Sequence, residues 1–292
     1  MRLRWPERLR VWAWLVAAAT NALACRHEQP RTPTWSSSGA ALGQRVRNGE
    51  LPGVTHQQFL SPTLQLQVGA VVVTPPGYAQ ERAQPYPVVY IFPGIGGDEW
   101  TYLRDVGLDN AALQALFADP VKAPIVVFGH PGDSGGHGRA LTVLSEELVA
   151  FVDQHYRTRR DAAGRSLEGF SLGGATVLTL LLHRPDVFGQ AIAASAACYL
   201  LPTCAALRAN LVAQAKRHNT ARVWFVVGEK EYEQNRAISD ELAPLLSVQV
   251  ETIPGVDHDW GKQIAAGGVA ERIAAFHLTG FEPAREVVSP PR

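Results

Sequence analysis

Ser166-Leu167-Glu168-Gly169-Phe170-Ser171-Leu172-Gly173-Gly174-Ala175 is the stretch that decides the fold. A short strand candidate, 166–170, runs straight into a serine, and a run of good helix formers with apolar spacing, 175–183, follows it. Such a strand-to-helix turn is sharp. Bulky side chains beside the serine would collide with the facing backbone, so glycines at 169 and 173 are a steric requirement. The turn exposes the Ser171 hydroxyl in a strained conformation. It also sets the positive end of the following helix, with the Leu172 N–H, beside any negative charge that develops on a substrate oxygen. The five-residue pattern alone is moderately specific, and a Gly-Ser turn without chemistry is the bland reading. The flanking strand and helix argue against it.

Outward from the turn, short β-branched or alternating runs at 64–73, 87–92, 125–128, 191–194, 223–227 and 248–252 alternate with runs of three-to-four-residue apolar spacing. The latter fall at 108–117, 142–156, 172–183, 234–246 and 260–276. This alternation predicts an α/β fold, a mostly parallel central sheet with helices on both faces. Pro120, Pro124, Pro131 and Pro185 lie between elements, where proline disrupts no hydrogen bonding. The 292 residues suffice for one large α/β domain or two small ones. With 46% apolar and 18% charged residues, the chain is neither collagen-like, coiled-coil nor wholly disordered. Twenty-seven basic residues balance twenty-seven acidic ones without a basic block, which argues against a nucleic-acid partner.

Residues 1–24 read as a signal peptide. Arg2, Arg4, Arg8 and Arg10 precede an uncharged apolar run, 11–24, too short for a bilayer span of about 20 residues. Ala22-Leu23-Ala24 supplies small residues for cleavage, and Cys25 follows directly, as in a lipoprotein, although Ala22 and Leu23 stand in the reverse of the usual lipobox order. Plain cleavage and lipidation of Cys25, which would give a membrane tether, both stay open. Residues 25–45, with Pro30, Pro33 and Ser36-Ser37-Ser38, read as a flexible linker, 46–280 as the catalytic domain and 281–292 as a disordered tail. Cys198 and Cys204 are spaced to close a short loop in an oxidising compartment; two buried free thiols are the alternative.

Tyr90-Ile91-Phe92-Pro93-Gly94-Ile95-Gly96-Gly97, and Asp161-Ala162-Ala163-Gly164-Arg165 leading into the Ser171 turn, resemble an esterase family. It includes enterochelin-esterase-like, feruloyl-esterase-like and S-formylglutathione-hydrolase-like proteins, and the similarity covers roughly residues 64–278. The resemblance implies an α/β-hydrolase fold with an eight-stranded sheet, a serine–acid–histidine triad and no metal or organic cofactor. Pro93 departs from the family, which commonly has His, Ser or Asp before the glycine.

The glycine-rich loop after 87–92 arrives at the same sheet edge as Ser171, where acyl transfer needs a second N–H donor. By resemblance that donor is Ile95, with Gly94 as the fallback. Chain order in this fold is serine, acid, histidine, so the base belongs after the last strand. His258 has that address, and Val256-Asp257-His258-Asp259-Trp260 resembles the family's His-x-Trp segment. His183 and His277 lie near helix ends, where dipole partnering is the commoner role, and His218 lies too early. The family places Asp three residues after the glycine that ends the preceding strand; here Glu231 stands there after Gly228, with Glu229, Glu233 and Asp257 as rivals. His130, with Asp133 and His137, occupies a loop read as substrate-facing; their spacing matches no defined metal site. Trp100, Tyr102 and Trp260 are candidate aromatic walls for the substrate, although packing is the commoner fate of such residues.

These readings converge on an exported serine carboxylic-ester hydrolase that takes a small-molecule ester. An acyltransferase on the same machinery, or a non-catalytic surface binding protein, are the alternatives.

Overall fold

The computed structural model describes residues 37–78, 84–130, 138–197, 204–217 and 220–281, all within one compact unit that begins at Ser37. The leader, Cys25, Asp133, His137, Cys198 and His218 lie outside the described residues, as does the proposed Cys198–Cys204 pairing.

Eight strands form one sheet: β1 (Val54–Ser61), β2 (Leu66–Val73), β3 (Val88–Phe92), β4 (Ile125–Gly129), β5 (Arg165–Phe170), β6 (Gln190–Ala194), β7 (Arg222–Gly228) and β8 (Ser247–Ile253). Their spatial order is β1-β2-β4-β3-β5-β6-β7-β8. β1 and β2 join antiparallel and every pairing from β4 to β8 is parallel. The central strands β3, β4 and β6 are buried along their whole length, which is why they read as continuous apolar runs. Chain order reverses at β3, whose neighbours are β4 on one side and β5 on the other. Loops leaving the carboxyl ends of β3 and β5 diverge there and open a crevice, the usual ligand position in such sheets.

The helices are α1 (Ser37–Arg47), α2 (Thr101–Asp105), α3 (Ala111–Leu116), α4 (Arg139–Thr142), α5 (Leu148–His155), α6 (Leu172–His183), α7 (Cys204–Ala215), α8 (Tyr232–Leu242), α9 (Trp260–Ala265) and α10 (Val269–Gly280). A π-turn, Val143–Glu147, joins α4 to α5. Two cores flank the sheet. One packs Val72, Tyr90, Phe92 and Leu167 against α5, α6 and α8; the other packs Val71, Ile91, Phe128 and Trp224 against α2, α3, α9 and α10. α6 is buried from Leu172 to Leu182, so it is apolar all round rather than amphipathic. Among the described residues no helix is long and apolar enough to cross a membrane.

Several boundaries differ from the sequence expectations. The expected linker is helical from Ser37, and Leu42 and Val46 of α1 pack against the second core. β1 was not anticipated, because Thr55-His56-Gln57-Gln58 shows no apolar alternation; it is an edge strand with mostly half-exposed residues. The single helix expected over 260–276 is two, broken at Gly268, whose φ of +75° is the left-handed conformation glycine adopts freely. Phe281, assigned to the tail, is buried, and its carbonyl accepts from Arg159 Nη1 at 2.5 Å.

Candidate active site

Ser171 leaves β5 with φ +58° and ψ −118° and starts α6. A non-glycine residue in that region carries strain on the order of 1–3 kcal/mol, which the surroundings must enforce. They do so from both sides: Ser171 N–H donates to the Ala194 carbonyl and the Ser171 carbonyl accepts from Ala197 N–H, each at 2.9 Å. The glycine requirement is met in atoms. A Cβ on Gly169 would lie 2.2 Å from the Gly173 carbonyl oxygen, and one on Gly173 2.2 Å from that of Phe92. Leu172 is the first residue of α6, so its N–H has no acceptor within the helix and faces the crevice end of the dipole.

The second side of the crevice is the turn after β3. Gly97 N–H donates to the Gly94 carbonyl at 3.1 Å, and Gly96 takes φ +72°. Gly94 lies against the nucleophile: a Cβ there would meet Ser171 Cβ at 3.2 Å. Ile95, at the tip, is 71% exposed. Beyond it the loop is tied down twice. Asp98 and Thr101 exchange hydrogen bonds at the start of α2, and the Glu99 carboxylate meets His56 Nε2 of β1 at 3.0 Å.

The fold brings His258 and Glu231 together. Glu231, at the end of a 3₁₀ turn (Glu229–Glu231) after β7, is buried, and its Oε1 lies 2.6 Å from His258 Nδ1. That contact fixes the imidazole so that Nε2 is the nitrogen left for other chemistry. The His258 ring packs on Phe170, the residue before the nucleophile, at 4.5 Å between centroids, and Trp260 stacks on the other part of Phe170 at 5.8 Å. Phe170 reaches them because Ser166, Glu168 and Phe170 share the face of β5 opposite Leu167.

The rival acids are committed elsewhere. Glu229 accepts from Gly255 N–H at 2.9 Å, and Asp257 pairs with Lys230 at 2.6 Å, which raises the lysine pKa. Glu233 lies in the first turn of α8. Of the rival histidines, His183 bonds the Thr179 carbonyl and Asn210 at a helix end. His277 is not a dipole partner: it is fully buried between Ser166 and Glu168.

The aromatic assignments need correction. Trp100 has no exposed surface and packs beside His56 in the second core, and Tyr102 is buried against Phe128. Burial, with the Glu168 charge nearby, holds the Tyr102 hydroxyl well above the usual phenol range. Trp260 is 7% exposed and supports Phe170 rather than forming an open wall. His130, half-buried, lies directly after β4 at the carboxyl edge of the sheet. Two residues escaped the sequence reading altogether: Ser195, at φ +41° directly after β6, and Gln263 of α9, both buried and hydrogen-bonded to each other at 2.8 Å. The only sequence signal for them was two polar residues in otherwise apolar surroundings.

A mostly parallel eight-stranded sheet, with a strained serine at the end of β5 and a histidine–carboxylate pair carried by the loops after β8 and β7, is the α/β-hydrolase fold. Within that fold, the chain belongs to the family described as "Putative esterase", whose profile matches residues 61–252. A curated relative, an endo-1,4-beta-xylanase/feruloyl esterase of Xylanibacter ruminicola, is 28% identical over 182 residues, 57% of this chain and 24% of that protein. The chain thus spans about a quarter of that relative's length. Solved structures share the fold: a ferulic acid esterase (TM-score 0.64, 16% identity, 78% of this chain and 98% of the other) and the feruloyl esterase module of Clostridium thermocellum (0.62, 17%, 79% and 89%). The S-formylglutathione hydrolase of Staphylococcus aureus is similar too (0.58, 17%, 77% and 98%).

Proposed function

We propose that this protein is an exported serine carboxylic-ester hydrolase that works through an acyl-enzyme. The observation that carries the reading is the combination of a strained Ser171 at a helix N-terminus with His258 held through Nδ1 by Glu231 at 2.6 Å. His258 Nε2 takes the Ser171 proton as Oγ bonds to the ester carbonyl carbon, and the N–H groups of Leu172 and Ile95 hold the resulting oxyanion. Collapse breaks the ester C–O bond, and the alcohol leaves with the proton from His258. Water then repeats the sequence on the acyl-serine, giving the acid and the free serine. Glu231 keeps the tautomer and stabilises the imidazolium without itself taking the proton. His130, at the carboxyl end of β4, borders the substrate entrance in this reading.

Membership of the esterase family supports the reaction class, and the feruloyl esterases among the relatives make feruloyl esters a reasonable substrate to try. Labelling with a fluorophosphonate probe tests the nucleophile: wild type should label at Ser171 and Ser171→Ala should not. An unlabelled folded wild type would favour a non-catalytic binding protein. Hydrolysis of p-nitrophenyl acetate and methyl ferulate, with and without added alcohols, tests the class; dominant transfer product would make it an acyltransferase. Export rests on the 1–24 leader, and the mature N-terminus should be Cys25. Lipidation at that cysteine would add a membrane tether that Cys25→Ala abolishes.

A further inference from the structure

We propose that Gln263 and Ser195 form a buried positioning pair that sets His258 relative to Ser171, an inference that rests on the esterase reading of those two residues. Ser195 is the first residue beyond β6, and the chain on either side of it holds the nucleophile: Ala194 accepts from Ser171 N–H and Ala197 donates to the Ser171 carbonyl. Gln263 sits one turn into α9 and bonds in two directions. Its Nε2 donates to Ser195 Oγ at 2.8 Å and to the Asp257 carbonyl at 3.0 Å, the carbonyl of the peptide that enters His258. One amide nitrogen has two hydrogens, so both bonds form together. The result is a path of hydrogen bonds and one short covalent stretch, from the Ser171 backbone to the Ala194-Ser195 segment, then from Ser195 Oγ across Gln263 to the backbone of the His258 loop. Gly228, at the end of β7, is enclosed by the same loop: a Cβ there would lie 2.6 Å from the Val256 and Asp257 carbonyl oxygens.

Two features set this pair apart from ordinary core packing. Ser195 takes φ +41°, a strained conformation for any residue with a side chain, yet its surroundings retain a serine whose hydroxyl is bonded. Gln263 is wholly buried, and among the described residues its Oε1 has no hydrogen-bond partner. A buried amide oxygen left unbonded costs about 1–3 kcal/mol, which offsets part of what the two donated hydrogen bonds contribute to stability. What a glutamine supplies there, and Leu or Met does not, is the two-way donor.

The test uses the full-length protein. Gln263→Met keeps the length of the side chain and removes both hydrogen bonds. The expected result is kcat lowered by roughly 10- to 100-fold with KM within about twofold, since displacement of about 1 Å at a reacting pair costs that much rate, and Tm lowered modestly by the two buried acceptors left unpaired. Ser195→Ala removes the other end and should lower kcat in the same way. The double variant should be no slower than the slower single variant by more than about twofold, because both substitutions break one connection. Fluorophosphonate labelling of Ser171 should slow in parallel with kcat. Wild-type kcat in Gln263→Met, a rise in KM alone, or multiplicative losses in the double variant would each overturn the proposal. Should Gln263→Met not fold, Ser195→Ala decides by the same kcat-against-KM split. A wild type that labels normally beside unaffected variants refutes this pair alone, whereas a wild type that never labels refutes the esterase reading and the pair together.

Discussion

Among the described residues, two groupings of serine, histidine and glutamate draw on one and the same strand. At the end of β5, Ser171 belongs with His258 and Glu231; five positions earlier, Ser166 Oγ lies 2.6 Å from His277 Nδ1, whose Nε2 lies 3.0 Å from Glu168. The residue types are the same, and the histidine–glutamate contacts are 2.6 Å in the outer group and 3.0 Å in the inner one. What separates them is backbone and access. Ser166 is in mid-strand, paired with Val89 and Gln190 on either side, and neither it nor His277 has any exposed surface. Ser171 sits on the left-handed turn that starts α6, and His258 is 38% exposed on its side chain. The inner group fastens α10 to the sheet, helped by Gln190, which donates to the His277 carbonyl at 2.9 Å. In the esterase reading, a serine, a histidine and a glutamate therefore make a site only where a substrate carbonyl can approach and N–H donors await its oxygen.

The sharpest way to break this comparison is to remove each serine in turn. Ser171→Ala should lower turnover of p-nitrophenyl acetate by several orders of magnitude while leaving Tm nearly unchanged. Ser166→Ala should do the reverse, keeping kcat within a few-fold and costing about 1–3 kcal/mol of stability for the broken buried hydrogen bond. Retention of a tenth of the activity by Ser171→Ala would end its claim to be the nucleophile.

The carboxylates give the next largest difference. Glu231→Gln should lower kcat by roughly 10³- to 10⁴-fold by favouring the wrong imidazole tautomer. Glu231→Asp keeps the charge but withdraws it by about one bond length from a contact now 2.6 Å long, so it too should be impaired. Glu168→Gln should leave kcat within a few-fold. Near-normal turnover in Glu231→Gln with a dead Asp257→Asn would move the acid to Asp257.

Much of the outer site was legible in the sequence because its requirements are local. The glycines around Ser171 are dictated by contacts within the turn and with the end of β3, and the order of serine, acid and histidine follows from strand order. The inner group was illegible for the opposite reason: Ser166 and Glu168 share a face by strand alternation, but nothing local says that residue 277 lands on them. His277 looked like a helix-end histidine because its distance from the C-terminus of α10 is visible in the sequence and its burial is not. Trp100 failed similarly, since an aromatic residue after a glycine-rich loop reads the same whether it turns toward the crevice or, as here, into the core beside His56. Gln263 and Ser195, 68 positions apart, are joined only by the tertiary fold.

A smaller effect tests what the inner histidine is for. His277→Leu leaves the Glu168 carboxyl buried without its partner and should cost about 1–3 kcal/mol, more if that carboxyl is ionised. Adding Glu168→Leu should recover part of the loss, because replacing both members of a buried polar pair by apolar groups is close to neutral. Thermal unfolding of the two variants measures this directly. A double variant less stable than His277→Leu would mean that Glu168 has another essential partner.

The smallest effect is expected at the outer face of the catalytic loops, where Lys230 meets Asp257 at 2.6 Å. Lys230 adjoins Glu231 and Asp257 adjoins His258, so this ion pair ties the Glu231 turn to the His258 loop, which Gln263 reaches from within. Its side chains are 77% and 56% exposed, however, and water and salt screen such a pair. The hydrogen bond to Asp257 and its charge raise the lysine pKa, so any stabilisation is present at neutral pH and is lost as pH climbs through the raised value. Lys230→Ala should leave kcat/KM within about threefold of wild type, and that difference should shrink as ionic strength rises. Gln263→Met, acting through buried bonds, should be indifferent to salt. If Lys230→Ala instead costs as much as Gln263→Met and the loss persists at high salt, the two loops are held from outside, and the buried amide is packing rather than positioning.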